Sequence, residues 1–148
     1  MRDVVITDFP VRQPAPPNAP RVLVVDDDRD LVLSLVALLR TEAYEARGVH
    51  HAGNILQDIR AYDPDVVILD IAMPGKTGWD AAKEIRARLP GKRPALIGIS
   101  GEHVRGVDRT HSELSGFDFY LMKPCDPNVL LTLLRWLSIQ SPFRSSFR

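Results

Sequence analysis

The chain has 148 residues, and its 19 Lys plus Arg balance its 19 Asp plus Glu, so the formal net charge is zero. That balance argues against binding nucleic acid by bulk positive charge, which needs clustered Lys and Arg to displace phosphate counterions. One cysteine excludes an intrachain disulfide and a cysteine zinc cage, and the longest apolar stretch, nine residues from Leu31 to Leu39, is short of the about 20 that span a membrane.

Five of the 12 prolines lie between Pro10 and Pro20. Proline lacks an N–H and clashes with a preceding helical turn, so this stretch reads as an extended linker. Residues 1–20 are therefore a proline-rich extension, with Val4-Val5-Ile6 as its short apolar patch. Met1-Arg2-Asp3 is not the basic start of a secretory signal, and a cytoplasmic location is expected.

From Arg21 the pattern changes. Val22 to Val25 reads as a strand buried on both faces. Asp28 can cap a helix with Leu31, Leu35, Leu38 and Leu39 at helical spacing. A weak strand is expected at Tyr44 to Arg47, then a helix carrying Ile55, Leu56 and Ile59. Val66 to Leu69 is a second fully apolar strand, ending at Asp70. The loop from Met73 to Gly78 follows, shaped by Lys76 and Thr77. Next come a helix with Trp79, Ala82, Ile85 and Leu89 on one face and a strand from Ala95 to Ile99 that runs into Ser100. Glu102 to Ser115 is the least apolar helical candidate. Phe117 to Met122 is a strand ending at Lys123, and Asp126 to Ile139 is a helix burying Val129, Leu130, Leu133, Leu134 and Leu137. Residues 21–139 form the folded unit and 140–148 a polar tail. Alternating strands and helices imply an α/β fold, a five-stranded, doubly wound parallel sheet between two helical layers.

In such a sheet, ligands bind beyond the carboxyl ends of the strands. Asp26-Asp27-Asp28, Asp70, Ser100 and Lys123 all fall there. Several carboxylates in one pocket stay ionised together only if a cation offsets them. Oxygen donors with room for water favour Mg²⁺. A carboxylate beside such an ion and a lysine is a plausible nucleophile toward phosphorus, whose oxygens carry the transition-state charge. Trp79 and Trp136 read as core or interface anchors, Cys125 as a small loop residue, and His50, His51, His103 and His111 as surface residues without metal spacing.

Four motifs resemble the receiver domain of two-component response regulators. They are Val-Leu-Val-Val-Asp-Asp-Asp (22–28), Val-Val-Ile-Leu-Asp-Ile-Ala-Met-Pro-Gly-Lys-Thr-Gly (66–78), Leu-Ile-Gly-Ile-Ser-Gly (96–101) and Leu-Met-Lys-Pro (121–124). The resemblance covers about Arg21 to Ile139 and implies a (βα)5, flavodoxin-like three-layer fold. It makes Asp70 the phosphoacceptor and Asp26 and Asp27 the acidic pair for Mg²⁺, with Asp27 the direct ligand. The backbone carbonyl of Ala72 completes the metal set. It casts Lys123, before a cis proline, as the phosphate-contacting lysine, Ser100 as the switch hydroxyl and Tyr120 as the switch aromatic. Ala72 beside the phosphoacceptor cannot orient water, whereas Glu102 could orient it or repel hydroxide, so the two bear on dephosphorylation in opposed ways. Gly101 leaves room for a bulky donor. The implied partners are a histidine kinase or phosphotransfer protein and a downstream protein target, with a homodimer as an option and no nucleic acid or membrane. The output face would be the fourth helix, fifth strand and fifth helix. With nine residues after the last predicted helix, output is expected through a partner or oligomer.

The implied activity is a phosphorylation-operated switch that catalyses its own phosphorylation and dephosphorylation but no turnover reaction. Two alternatives remain open at this point. One is a receiver-fold docking module that works without phosphorylation. The other is a small phosphohydrolase of the haloacid dehalogenase type, in which Asp26 of an Asp-x-Asp pattern would be the nucleophile.

Overall fold

A computed structural model describes residues 19–91, 94–101 and 116–140. In chain order they form β1 (Arg21–Val25), α1 (Arg29–Thr41), β2 (Glu45–Val49), α2 (Ile55–Tyr62), β3 (Val66–Asp70), α3 (Gly78–Arg88), β4 (Ala95–Ser100), β5 (Phe119–Met122) and α4 (Pro127–Gln140). The strands make one parallel sheet in the order β2-β1-β3-β4-β5. The helix expected at residues 102–115 lies outside the described residues, as do the expected tails except residues 19–20 and Gln140, which ends the last helix.

The apolar strands split their side chains between two cores, as alternate pointing requires. Val22, Val24, Val66, Ile68, Ile97 and Ile99 pack with Val32, Leu35, Val36 and Leu39 of α1 and Leu130, Leu134 and Leu137 of α4. Leu23, Val25, Val67, Leu69 and Leu96 pack with Ile55 and Ile59 of α2 and Ala81, Ala82 and Ile85 of α3. Burying each such side chain stabilises by roughly 1.5–3 kcal/mol. Between their first and last residues the central strands carry no polar side chain, so polar groups gather at the strand ends.

Local signals set the helix starts. Asp28 caps α1, its Oδ1 accepting from the amides of Asp30 and Leu31. Thr77 and Asp80 form a capping box at α3. Lys76 pairs with Glu84, which fastens the preceding loop to that helix.

Several sequence expectations shift. The β2 strand starts one residue late, at Glu45, and Tyr44 is buried just before it. On α1 the inward stripe is Val32-Leu35-Val36-Leu39, with Leu31 and Leu38 at its margin. On α4 Val129 is 49 % exposed rather than buried, because the stripe facing the sheet is Leu130-Leu134-Leu137-Ser138. On α3 Trp79 is half-buried, while Ala81 takes the inward position. Among the described residues no helix is long and apolar enough to cross a membrane.

Candidate functional site

The carboxyl ends of β1 and β3 place three aspartates together. Carboxylate oxygens of Asp26, Asp27 and Asp70 all lie within 4.8 Å of one another. Asp26 and Asp70 are each 3 % exposed, whereas Asp27 is exposed. Each is held by its local backbone. The amide of Asp26 donates to the Val49 carbonyl, and its Oδ1 accepts from the Asp28 amide at 2.9 Å. Asp70 Oδ1 accepts from the Ala72 amide at 3.3 Å, so the chain folds back over the carboxylate.

Gly78 makes that return possible. Its amide donates to the Ile71 carbonyl. A Cβ there would run into the Asp70 carbonyl oxygen and lie 2.7 Å from Ile71 Cα. Any side chain at 78 would push the loop off the strand end and move Asp70 with it.

Lys123 enters from the end of β5. Its Nζ lies 3.0 Å from Asp26 Oδ2 and 3.4 Å from Asp70 Oδ1. Its amide donates to the Ser100 carbonyl at 2.7 Å, which ties the lysine to the end of β4. The bond from Lys123 to Pro124 is cis. Ser100 is 1 % exposed at the end of β4, beside β3 in the sheet. Tyr120 pairs with Gly98 in the β4–β5 register.

The electrostatics are unbalanced. Two carboxylates 4.8 Å apart repel by roughly 3–4 kcal/mol at an effective dielectric of ~20, and among the described residues a single ammonium faces three of them. Burial and the neighbouring Asp26 charge push Asp70 up to about 6, against the opposing pull of Lys123 and the Ala72 amide. Burial alone would lower Lys123, but its hydrogen bond to Asp26 and the charges of Asp70 and Asp26 outweigh that and raise it. The donor set fits a hard divalent cation: all ligand atoms are oxygen, two carboxylates are fixed, and the exposed third leaves room for water. Mg²⁺ meets that description, and receiver domains generally bind Mg²⁺ at such an acidic site.

The two aspartates of the Asp-x-Asp pattern have different partners. Both Asp26 oxygens are engaged, by the Asp28 amide and by Lys123, and Asp28 is spent as the α1 cap. Ala72 is exposed beside Asp70, whereas Glu102, His103 and His111 lie outside the described residues. His51 is exposed and accepts from the Gly53 amide in a local turn, while His50 is half-buried rather than a surface residue. Cys125 is half-buried against the α1/α4 core, and burial raises its thiol. The sequence reading passed over Gly78 and Gly98. A glycine directly before a predicted helix and another inside an apolar strand were the available signals.

A parallel sheet with a carboxylate cluster and a lysine at its carboxyl edge defines a receiver-type signalling fold. Residues 22–135 match the response regulator receiver domain family, and the chain belongs to it. It is 33 % identical over 115 residues to the DNA-binding response regulator MtrA of Mycobacterium tuberculosis, covering 78 % of this chain and 49 % of that protein. It is 27 % identical over 132 residues to the transcriptional regulatory protein BaeR of Escherichia coli, covering 88 % and 51 %. The chain thus spans about half the length of these curated relatives. Among solved structures, the CheY-like receiver domain protein of Methanospirillum hungatei superimposes with a TM-score of 0.74 at 27 % identity, covering 82 % of this chain and 95 % of that one. The fold is therefore flavodoxin-like, and the family is one of phosphorylation-operated signalling domains rather than turnover enzymes.

Proposed function

We propose that Asp70 accepts a phosphoryl group from a phosphohistidine on a histidine kinase or phosphotransfer protein. The observation that carries this is the Asp26-Asp27-Asp70 cluster bridged by Lys123. An Asp70 oxygen attacks phosphorus and forms the P–O bond of an aspartyl phosphate. The P–N bond breaks, and its electron pair returns to the imidazole, which leaves as the protonated or neutral ring.

Lys123 neutralises charge on the incoming phosphoryl oxygens from the position where it now bridges Asp26 and Asp70. Ser100 donates its hydroxyl to the same oxygens. Asp26, Asp27, Asp70 and the main-chain carbonyl of Ala72 would hold Mg²⁺, which when bound offsets the charge of the carboxylates and of the phosphoryl group. Tyr120 follows Ser100 and carries the change to the face of β5 and the flanking helices, where a downstream protein or a second copy reads it. The setting is cytoplasmic. Residues 21–139 form the signalling unit, preceded by the proline-rich extension 1–20 and followed by the tail 140–148. Ala72 and Glu102 tune how long the phosphoryl group lasts.

Intact-mass measurement after incubation with a small acyl-phosphate donor tests this. A gain of about 80 Da that needs both Mg²⁺ and Asp70 is the expected result. The same gain on Asp70→Asn at full yield would overturn the assignment, and phosphate on Asp26 would restore the phosphohydrolase alternative.

A further inference from the structure

We infer that Gly98 and Trp79 are positioning residues that hold the Tyr120 ring inward, over β4, before any phosphoryl group is present. Gly98 and Tyr120 are register partners in adjacent parallel strands. A Cβ on Gly98 would lie 3.0 Å from Ile71 Cδ1, 3.0 Å from Tyr120 Cδ1 and 3.1 Å from Phe117 Cδ1. The missing side chain is thus a niche, and these three neighbours fill it. Ile71 is 1 % exposed and has nowhere to go, so any added atom displaces the rings.

The rings brace each other from the other side. Trp79 and Tyr120 lie 6.2 Å apart at 36°, Trp79 and Phe117 meet edge-on at 6.0 Å, and Phe117 and Tyr120 lie 6.3 Å apart. Such aromatic pairs attract one another beyond the area they bury. The Tyr120 hydroxyl oxygen is buried. Trp79 in turn follows Gly78, whose amide and close approach fix the backbone of Asp70 and Ile71. A short covalent and packed path therefore joins the Asp70 backbone to the Tyr120 ring. Ser100 lies two residues beyond Gly98 on the same strand.

A ring already inward needs no reordering when Ser100 and Tyr120 respond to a phosphoryl group. The fraction of molecules competent to react is raised by that much. This deepens the phosphoacceptor reading and rests on it for its kinetic part alone; the placement of the ring is independent of phosphate.

The test uses the full chain with Trp136→Phe, so that Trp79 is the sole tryptophan. Without phosphodonor, Gly98→Ala is expected to shift Trp79 emission to longer wavelength and raise its quenching by acrylamide. With a small acyl phosphate and Mg²⁺, Gly98→Ala is expected to slow phosphorylation roughly five-fold or more. In a Tyr120→Ala background it is expected to slow the reaction no further, since the ring on which the rate depends is then gone. Unchanged emission and quenching, or equal slowing in both backgrounds, would overturn the inference. If Gly98→Ala does not fold, Trp79→Ala takes its place in the same kinetic cycle, with Trp79→Phe expected to restore the rate; slowing independent of Tyr120 again overturns it. A wild-type protein inert to the donor would sink the phosphoacceptor reading, and the emission arm would still decide where the ring sits.

Discussion

Two buried aspartates bracket β3, and they live in opposite circumstances. Asp65, just before the strand, is fully buried. Its Oδ2 accepts from the Arg21 amide at 2.8 Å, its own amide donates to the Arg21 carbonyl, and its carbonyl accepts from the Ala95 amide. Asp118 does the same work at β4, where Oδ2 accepts from the Leu96 amide and from Arg86. Asp70, at the other end of β3, shares its space with two carboxylates and one lysine. One end of the sheet is satisfied internally. The other crowds three carboxylates around one lysine among the described residues. A buried carboxylate is structural when the backbone saturates it, and chemical when other carboxylates surround it.

Three experiments sharpen this contrast, in falling order of effect. Lys123→Ala removes the one cation that faces the cluster among the described residues and is expected to slow phosphorylation by roughly 100-fold, measured by phosphoprotein mass against time. A rate within a few-fold of wild type would remove Lys123 from the chemistry. Asp65→Ala leaves the Arg21 amide without its acceptor and is expected to cost about 1–3 kcal/mol in urea unfolding, with little effect on the phosphorylation rate of the folded protein. Loss of activity without loss of stability would reverse the roles assigned to the two ends.

The third concerns pH. Asp70 rises from 3.8 to about 6 on folding. Its contribution to stability is therefore fully present below pH ~4 and is lost as pH rises through ~6. In chelator, the metal-free protein is expected to lose about 1–3 kcal/mol across that window relative to Asp70→Asn, which lacks the titrating group. Adding Mg²⁺ at neutral pH is expected to recover part of it. Parallel pH profiles for the two proteins would show that Asp70 is not under this strain.

Much of this was legible in the sequence because the fold has a simple grammar. Val22–Val25 and Val66–Leu69 are buried on both faces, so they read as apolar runs without ambiguity. The charged residues closing those runs marked the site, and Asp26, Asp27, Asp70 and Lys123 converge as that logic requires. Asp28 was legible as a cap for the same reason. What escaped was packing between elements. Val129 and Leu133 look equivalent to Leu130 and Leu134 at helical spacing, and only the docking angle of α4 decides which pair faces the sheet. Asp65 sits in Asp63-Pro64-Asp65, which reads as a polar turn. Its partner, the amide of Arg21, is 44 residues away. Gly98 has no side chain to announce the rings around it.

Helix α3 joins the two ends of the molecule. It begins at Gly78, seated under the Asp70 backbone. Near its other end Arg86 donates to the carbonyls of Gly116 and Pro94 and to Asp118, which holds the approach to β5. Eleven residues make a strut about 16 Å long. A stiff rod pinned at both ends transmits tilt as well as displacement. Gly78 at one end and the Arg86 bonds to Gly116 and Asp118 at the other thereby tie the Asp70 backbone to the approach of the strand that carries Tyr120 and leads into Lys123. Two packed connections thus run from β3 toward β5, one through the edge-on and tilted rings and one through the length of α3, and they meet at the same four-residue strand.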